Sequence, residues 1–141
     1  MLFRSGYAIP SNIAISVADN IIDYCYGTDL ERVQRAIIGI TVSTSDSKAV
    51  FDSNTGLIAI QETVSIYEIS SGSLAEGVLQ VDDVIVSTTV NGNTTEITRQ
   101  HHAIDMMLDV RVGDVIAFKI LRDGEEMTVS ITVTEECLIA Y

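Results

Sequence analysis

The chain has 141 residues, 47% of them hydrophobic and only one a proline, which is enough for one domain with an appendage around a real core. That composition excludes global disorder. Twenty acidic residues against eight basic ones give a formal charge of −12, so nucleic acid and anionic membrane surfaces are set aside as partners.

Cys25 and Cys137 are the two cysteines, near opposite ends of the chain. They form neither a CxxC nor a Cys/His ligand cluster, so they read as buried or inert thiols, with no metal or other cofactor implied. No apolar run approaches the roughly 20 residues that span a bilayer. The opening hexapeptide lacks the apolar segment of a signal peptide.

In chain order, residues 6–10 read as a single strand. Ser11 or Asn12 then caps a helix whose apolar face carries Ile13, Val17, Ile21 and Tyr24, with Ile22 beside them, ending at Gly27. Such a face needs a partner, and one preceding strand cannot supply it. Residues 29–33 make a charged linker.

Residues 33–40 (VQRAIIGI) form an apolar loop with one glycine, leading into an alternating strand at Ile40, Val42 and Thr44. Successive backbone N–H groups in such a loop can build a concavity that captures a carboxylate. Ser45, Asp46 and Ser47 break the strand. A hairpin is expected over residues 49–60, followed by a strand through Val64, Ile66 and Ile69. Residues 70–73 cap a very short helix, 74–76, stopped at Gly77. A turn at Asp82 and Asp83 leads to a buried strand, and Asn91-Gly92 marks another turn.

Thr98 can cap a second helix over residues 99–109, with Ala103, Ile104, Met107 and Leu108 apolar. Two alternating runs, 115–121 and 127–133, joined through Asp123-Gly124, form the clearest hairpin. The pairs Asp82/Asp83 and Glu125/Glu126 read as solvated turn residues, since neighbours on a strand point to opposite faces.

This order of elements resembles a PDZ domain of the bacterial type. Residues 66–85 (IYEISSGSLAEGVLQVDDVI) are similar to that family's strand, Gly-Ser-x-Ala helix and Gly-Asp-Val-Ile segment. Asp82 stands where the family usually has glycine, and Asp tolerates unusual backbone angles better than most residues. Residues 6–12 resemble the closing strand and helix cap of the trypsin-like domain in HtrA serine proteases. The resemblance covers nearly the whole chain, with residues 45–60 the least typical part.

The resemblance implies an α+β fold. It would be a PDZ-like, partly open β-barrel or sandwich of five to six strands with two helices, preceded by an N-terminal strand and linker helix. Residues 1–32 would be a protease-domain remnant and linker, 33–136 the PDZ domain and 137–141 an apolar tail. By analogy, a peptide adds as a strand beside residues 40–44. Its carboxylate meets the N–H groups of Ile38, Gly39 and Ile40, with Arg35 adding charge. Val42, His101, Ile104 and Leu108 wall the groove, while Met107 turns to the core. His101 would accept a hydroxyl from the ligand, and His102 competes for that role.

The implied function is a peptide-binding module of an HtrA-like serine protease, taking apolar C-termini of unfolded proteins to regulate or feed the protease. A structural or oligomerisation module using the same edge is the alternative. The chain itself reads as non-catalytic: it has two histidines, adjacent at 101 and 102, and no recognisable nucleophile motif, so a triad would lie upstream. The partners implied are peptide ends and the parent protease domain. Residues 138–141 (LIAY) are themselves an apolar end that could enter a neighbour's groove. The resemblance places the parent outside the cytoplasm, anchored or exported through a segment not in this stretch.

Overall fold

A computed structural model describes residues 9–25 and 34–140. The expected strand over residues 6–10, the helix stop at Gly27, the charged linker and Tyr141 therefore lie wholly or largely outside the described residues.

Among the described residues, helix α1 (Ser11–Cys25) comes first, followed by eight strands. These are β1 (Gln34–Ala36), β2 (Ile40–Asp52), β3 (Leu57–Ile69), β4 (Val84–Val90), β5 (Asn93–Glu96), β6 (Val115–Arg122), β7 (Glu125–Thr132) and β8 (Leu138–Ala140). Helix α2 (Gln100–Asp105) lies between β5 and β6 and passes directly into a 3-10 turn, Met106–Leu108. The main sheet is antiparallel in the order β2-β3-β4-β6-β7, with β5 paired to β4. Strands β1 and β8 form a separate antiparallel pair. The fold is α+β and PDZ-like.

Two turns are set by their sequence. Asn91-Gly92 and Asp123-Gly124 both place two successive residues at positive φ, the geometry that matches the twist of a two-residue hairpin. Asp82 also sits at φ 72, so it accommodates the left-handed turn where the resembled family uses glycine.

The core joins the inner face of the sheet to the loops around it. Val64, Ile66, Ile85, Ile116, Phe118 and Ile120 are fully buried, and Ala36, Ile38, Ala75, Leu79 and Met106 close over them. Residues 45–60 extend beyond this core.

Four local expectations change. Strand β2 is not broken at Ser45: it runs to Asp52 and absorbs the polar residues through a bulge between Thr44 and Asp46. Residues 71–79 are consecutive turns rather than a helix, tied by short-range bonds such as Ser73 N–H to Ser70 C=O and Leu79 N–H to Ala75 C=O.

Asp83 is not solvated. Its side chain is 1% exposed and is held in a two-pronged pair by Arg122, with Nε to Oδ1 at 2.8 Å and Nη2 to Oδ2 at 2.7 Å. The Gln80 N–H adds a third bond at 2.8 Å. Arginine's planar fork makes this burial possible. Hydrogen bonding to Asp83, opposed in part by burial and assisted by the charges of Asp83 and Asp123, raises the Arg122 pKa.

Helix α1 docks on a different face from the one its hydrophobic spacing suggests. The inward seam is Ile13, Ser16, Asn20 and Tyr24, while Val17, Ile21 and Ile22 face outward. Polar contacts fix that rotation: Asn20 Nδ2 donates to the Leu108 carbonyl, Arg111 pairs with Asp23 at 2.8 Å, and the Arg111 guanidinium lies over the Tyr24 ring.

Candidate functional site

Strand β2 ends the main sheet, so one of its edges is open, and helix α2 lies alongside it. Between them is a cleft of ≈ 270 Å³. Its closed end is the loop of residues 36–40. Ile40, Val42, Ile85 and Phe118 line its floor and sheet side, and Ala103, Ile104, Met106 and Met107 line its helix side.

The loop at the closed end is fixed by its carbonyls. Ala75 N–H donates to Ile38 C=O at 3.1 Å, and Ser70 N–H donates to Gly39 C=O at 2.8 Å. Behind them, Ile37 N–H donates to Cys137 C=O at 2.8 Å. Gly39 sits at φ 80, a backbone state an L-residue adopts only at a cost. These constraints orient the peptide planes from Ile38 to Ile40 without using any side chain.

Register then decides which groups of β2 meet the cleft. Ile40 is opposite Ile69, and the Ser70 N–H donates to the Gly39 carbonyl just before that pair, so the Gly39 carbonyl faces β3. Ile40 must therefore turn its own N–H and C=O to the open edge, because direction alternates residue by residue. Val42, two residues on, does the same.

Of the residues singled out in the sequence, Arg35, Ile38, Gly39, Ile40, Val42 and Ile104 all line this cleft. His101 and Leu108 do not. His101 is exposed and packs edge-on against His102, whose Nδ1 lies 3.4 Å from the Thr98 hydroxyl. Leu108 is half-buried, and its carbonyl accepts from Arg111 and Asn20. Met107, expected in the core, lines the cleft instead, while its neighbour Met106 is buried.

The reason is a change of helical pitch. A continuous α-helix would align residues 101, 104 and 108, but the α-helix ends at Asp105 and a 3-10 turn follows. The tighter turn rotates the chain further per residue than an α-helix does, so Met107 shares the cleft-facing side with Ile104 and Leu108 is carried away from it. Extended backwards, the same face reaches Gln100 rather than His101.

Gln100 is the residue that the sequence reading missed. Its side-chain Nε2 donates to the Val42 carbonyl at 2.9 Å, on the open edge of β2. Its backbone N–H donates to Glu62 Oε2 at 2.7 Å, so a carboxylate from β3, not Thr98, satisfies the start of α2. Glu62 also pairs with Arg99 at 3.1 Å, and its own N–H donates to Thr98 C=O. The Gln100 bond and then the Arg99 charge lower the Glu62 pKa. A glutamine ahead of two histidines, at the foot of the helix, was the available signal.

Among the described residues, no cluster of potential metal ligands occurs, and no helix is long and apolar enough to cross a membrane.

No family model matches the sequence. Curated relatives do. The chain is 27% identical to the serine protease Do-like HtrA of Bacillus subtilis, across 93% of this chain and 28% of that protein. It is 28% identical to the serine endoprotease DegS of Salmonella typhimurium, across 92% of this chain and 33% of that one. The chain thus spans about a third or less of the curated relatives it matches. Among solved structures, the serine endoprotease from Yersinia pestis aligns at 26% identity with a TM-score of 0.52, covering 92% of this chain and 37% of that one. The HtrA-type protease AlgW, solved with a decapeptide, aligns at 23% identity with a TM-score of 0.56, covering 92% and 36%. Over nearly its whole length, then, this chain is similar to part of the HtrA-type serine proteases.

Proposed function

We propose that the chain is the peptide-binding module of an HtrA-like serine protease, capturing the C-terminal carboxylate of apolar-ended peptides by strand addition. The observation that carries this is the apolar cleft between the open edge of β2 and helix α2, closed at one end by the loop of residues 36–40. An added strand would find the outward groups of Ile40 and Val42 as backbone partners. The Ile38 and Gly39 carbonyls are engaged elsewhere, so the carboxylate would meet the N–H groups of Ile38, Gly39 and Ile40. Arg35 lines this end and adds positive charge in a chain of strong negative charge. The ligand's last side chain would lie among Ile38, Ile40, Ile104 and Met107.

In the parent protein the module would feed or regulate proteolysis of unfolded chains outside the cytoplasm. The apolar stretch of residues 138–141 is a further candidate ligand for a second copy. Within its own chain, residues 138–140 pair with β1, so that use requires β8 to release. Sedimentation of a chain lacking residues 138–141, at high concentration, tests it: an unchanged profile removes the tail from the partner list.

The test of the main reading is a titration with a labelled hexapeptide ending in an apolar residue, beside its C-terminal amide. Binding lost with the amide supports carboxylate capture. Equal binding of both, or none, favours a structural module that uses the edge only for assembly.

A further inference from the structure

We infer that Gln100 acts as an internal competitor for the ligand, holding the second hydrogen-bonding station of the β2 edge until a peptide displaces it. The inference rests on the strand-addition reading above and concerns how far along the edge a peptide can pair.

Strand addition offers a fixed set of stations. If the ligand's carboxylate sits on the loop and its last residue pairs with Ile40, the next outward position is Val42. The third-last residue of the ligand would reach it, since both strands alternate with a period of two. The Val42 carbonyl is the acceptor for that residue's N–H. It is already occupied: Gln100 Nε2 donates to it at 2.9 Å, the length of an ordinary amide-to-carbonyl hydrogen bond.

The glutamine is also held in place from behind. Its backbone is fixed by Glu62 at 2.7 Å, its Oε1 lies 3.4 Å from the Thr44 hydroxyl, and the same hydroxyl is 3.4 Å from Glu62 Oε2. Arg99 pairs with Glu62 on the other side. A side-chain amide thus imitates the peptide amide at this position. Ligand pairing at Ile40 is free of this competition, whereas pairing at the Val42 carbonyl exchanges one amide hydrogen bond for another and gains little. The groove should therefore read chiefly the last two residues of a ligand, with weak backbone grip beyond them.

The full chain and its Gln100→Ala variant are to be titrated with a labelled apolar-ended hexapeptide. Each titration is repeated with an analogue carrying an ester in place of the third-last N–H, and with the C-terminal amide. Gln100→Met, similar in length but without a donor, guards against a fold lost in the alanine variant. In the native chain, the ester should bind within about two-fold of the hexapeptide. Both variants should bind the hexapeptide about 3- to 10-fold more tightly, the range of one net hydrogen bond, and lose that gain with the ester. An ester penalty already present in the native chain, or no tightening in either variant while carboxylate dependence persists, overturns the role of Gln100 and leaves the carboxylate reading standing. If neither native chain nor variants distinguish carboxylate from amide, the strand-addition reading fails and this inference fails with it.

Discussion

Gly39 lies so close to Ser73 that a Cβ on the glycine would overlap the serine's Cβ, with Ser73 Oγ next in line. The glycine is also at φ 80. Two separate constraints therefore exclude a side chain at the centre of the proposed carboxylate loop. One is local backbone geometry, and the other is the turn of residues 70–79 packed behind it.

Gly39→Ala should destabilise the chain by roughly 3 kcal/mol, the sum of a left-handed residue and an overpacked contact. Adding Ser73→Gly removes the overlap but not the backbone strain, so the double variant should recover about half of the loss. Urea unfolding of the two single variants and the double variant measures both terms. Additive losses would show that the contact with Ser73 is not tight.

Asp83 gives a second test because it is buried while its partner Arg122, 39 positions away, is part-exposed. Asp83→Asn retains the shape but leaves the Arg122 guanidinium without its carboxylate, and weakens the bond from Gln80 N–H. A loss of about 2 kcal/mol is expected, since two charge-assisted hydrogen bonds to a buried carboxylate are weakened while the part-exposed guanidinium keeps some solvation. Thermal and urea unfolding are the measurements. A change near zero would mean that water reaches the pair freely.

The pH response of α2 follows from Glu62. Its pKa lies below the ordinary glutamate value of 4.5, chiefly because it accepts the Gln100 N–H and then because Arg99 is near. A depressed folded-state value means that protons bind the unfolded chain more readily. The stability contributed by Glu62 is thus complete above the ordinary value and is lost as pH falls through the folded one. Glu62→Gln should therefore lower the urea midpoint at pH 7, and the gap from the native chain should close as pH drops below about 4. A gap that stays constant across this range would remove the charge from the explanation.

How much of this was legible in the sequence differs by feature. The hairpins at Asn91-Gly92 and Asp123-Gly124 were legible because two-residue turns are dictated by their own residues. The loop and edge strand could be read because Gly39 stands alone in an apolar run. What was hidden depended on distant partners. Asp83 looks like a turn residue until Arg122 is placed beside it. The docking face of α1 is chosen by Asn20, Asp23 and Arg111 rather than by its isoleucines. Ser45, Asp46 and Ser47 do not end β2, because that stretch of hairpin is exposed and a bulge absorbs the irregular residue. The helix side of the cleft is shifted by one position from a continuous helix because the α-to-3-10 transition at Met106 leaves no mark in the hydrophobic spacing.

That shift of one position makes the groove wall itself testable. Ile104 is 49% exposed and lines the cleft, so a ligand would bury its remaining apolar surface at little cost to the free fold. Ile104→Ser should weaken a carboxylate-dependent peptide by about 1 kcal/mol, roughly five-fold, with unfolding nearly unchanged. His101→Ala should leave affinity within about two-fold, because that ring packs on His102 away from the cleft. Leu108→Ala should also leave affinity within about two-fold, because that side chain does not line the cleft and its carbonyl contacts to Asn20 and Arg111 survive the change. Peptide titration and urea unfolding of the three variants separate these outcomes. If His101→Ala and Leu108→Ala weaken the peptide while Ile104→Ser does not, the wall follows the continuous-helix phase, and the ligand must reshape the 3-10 turn on entering.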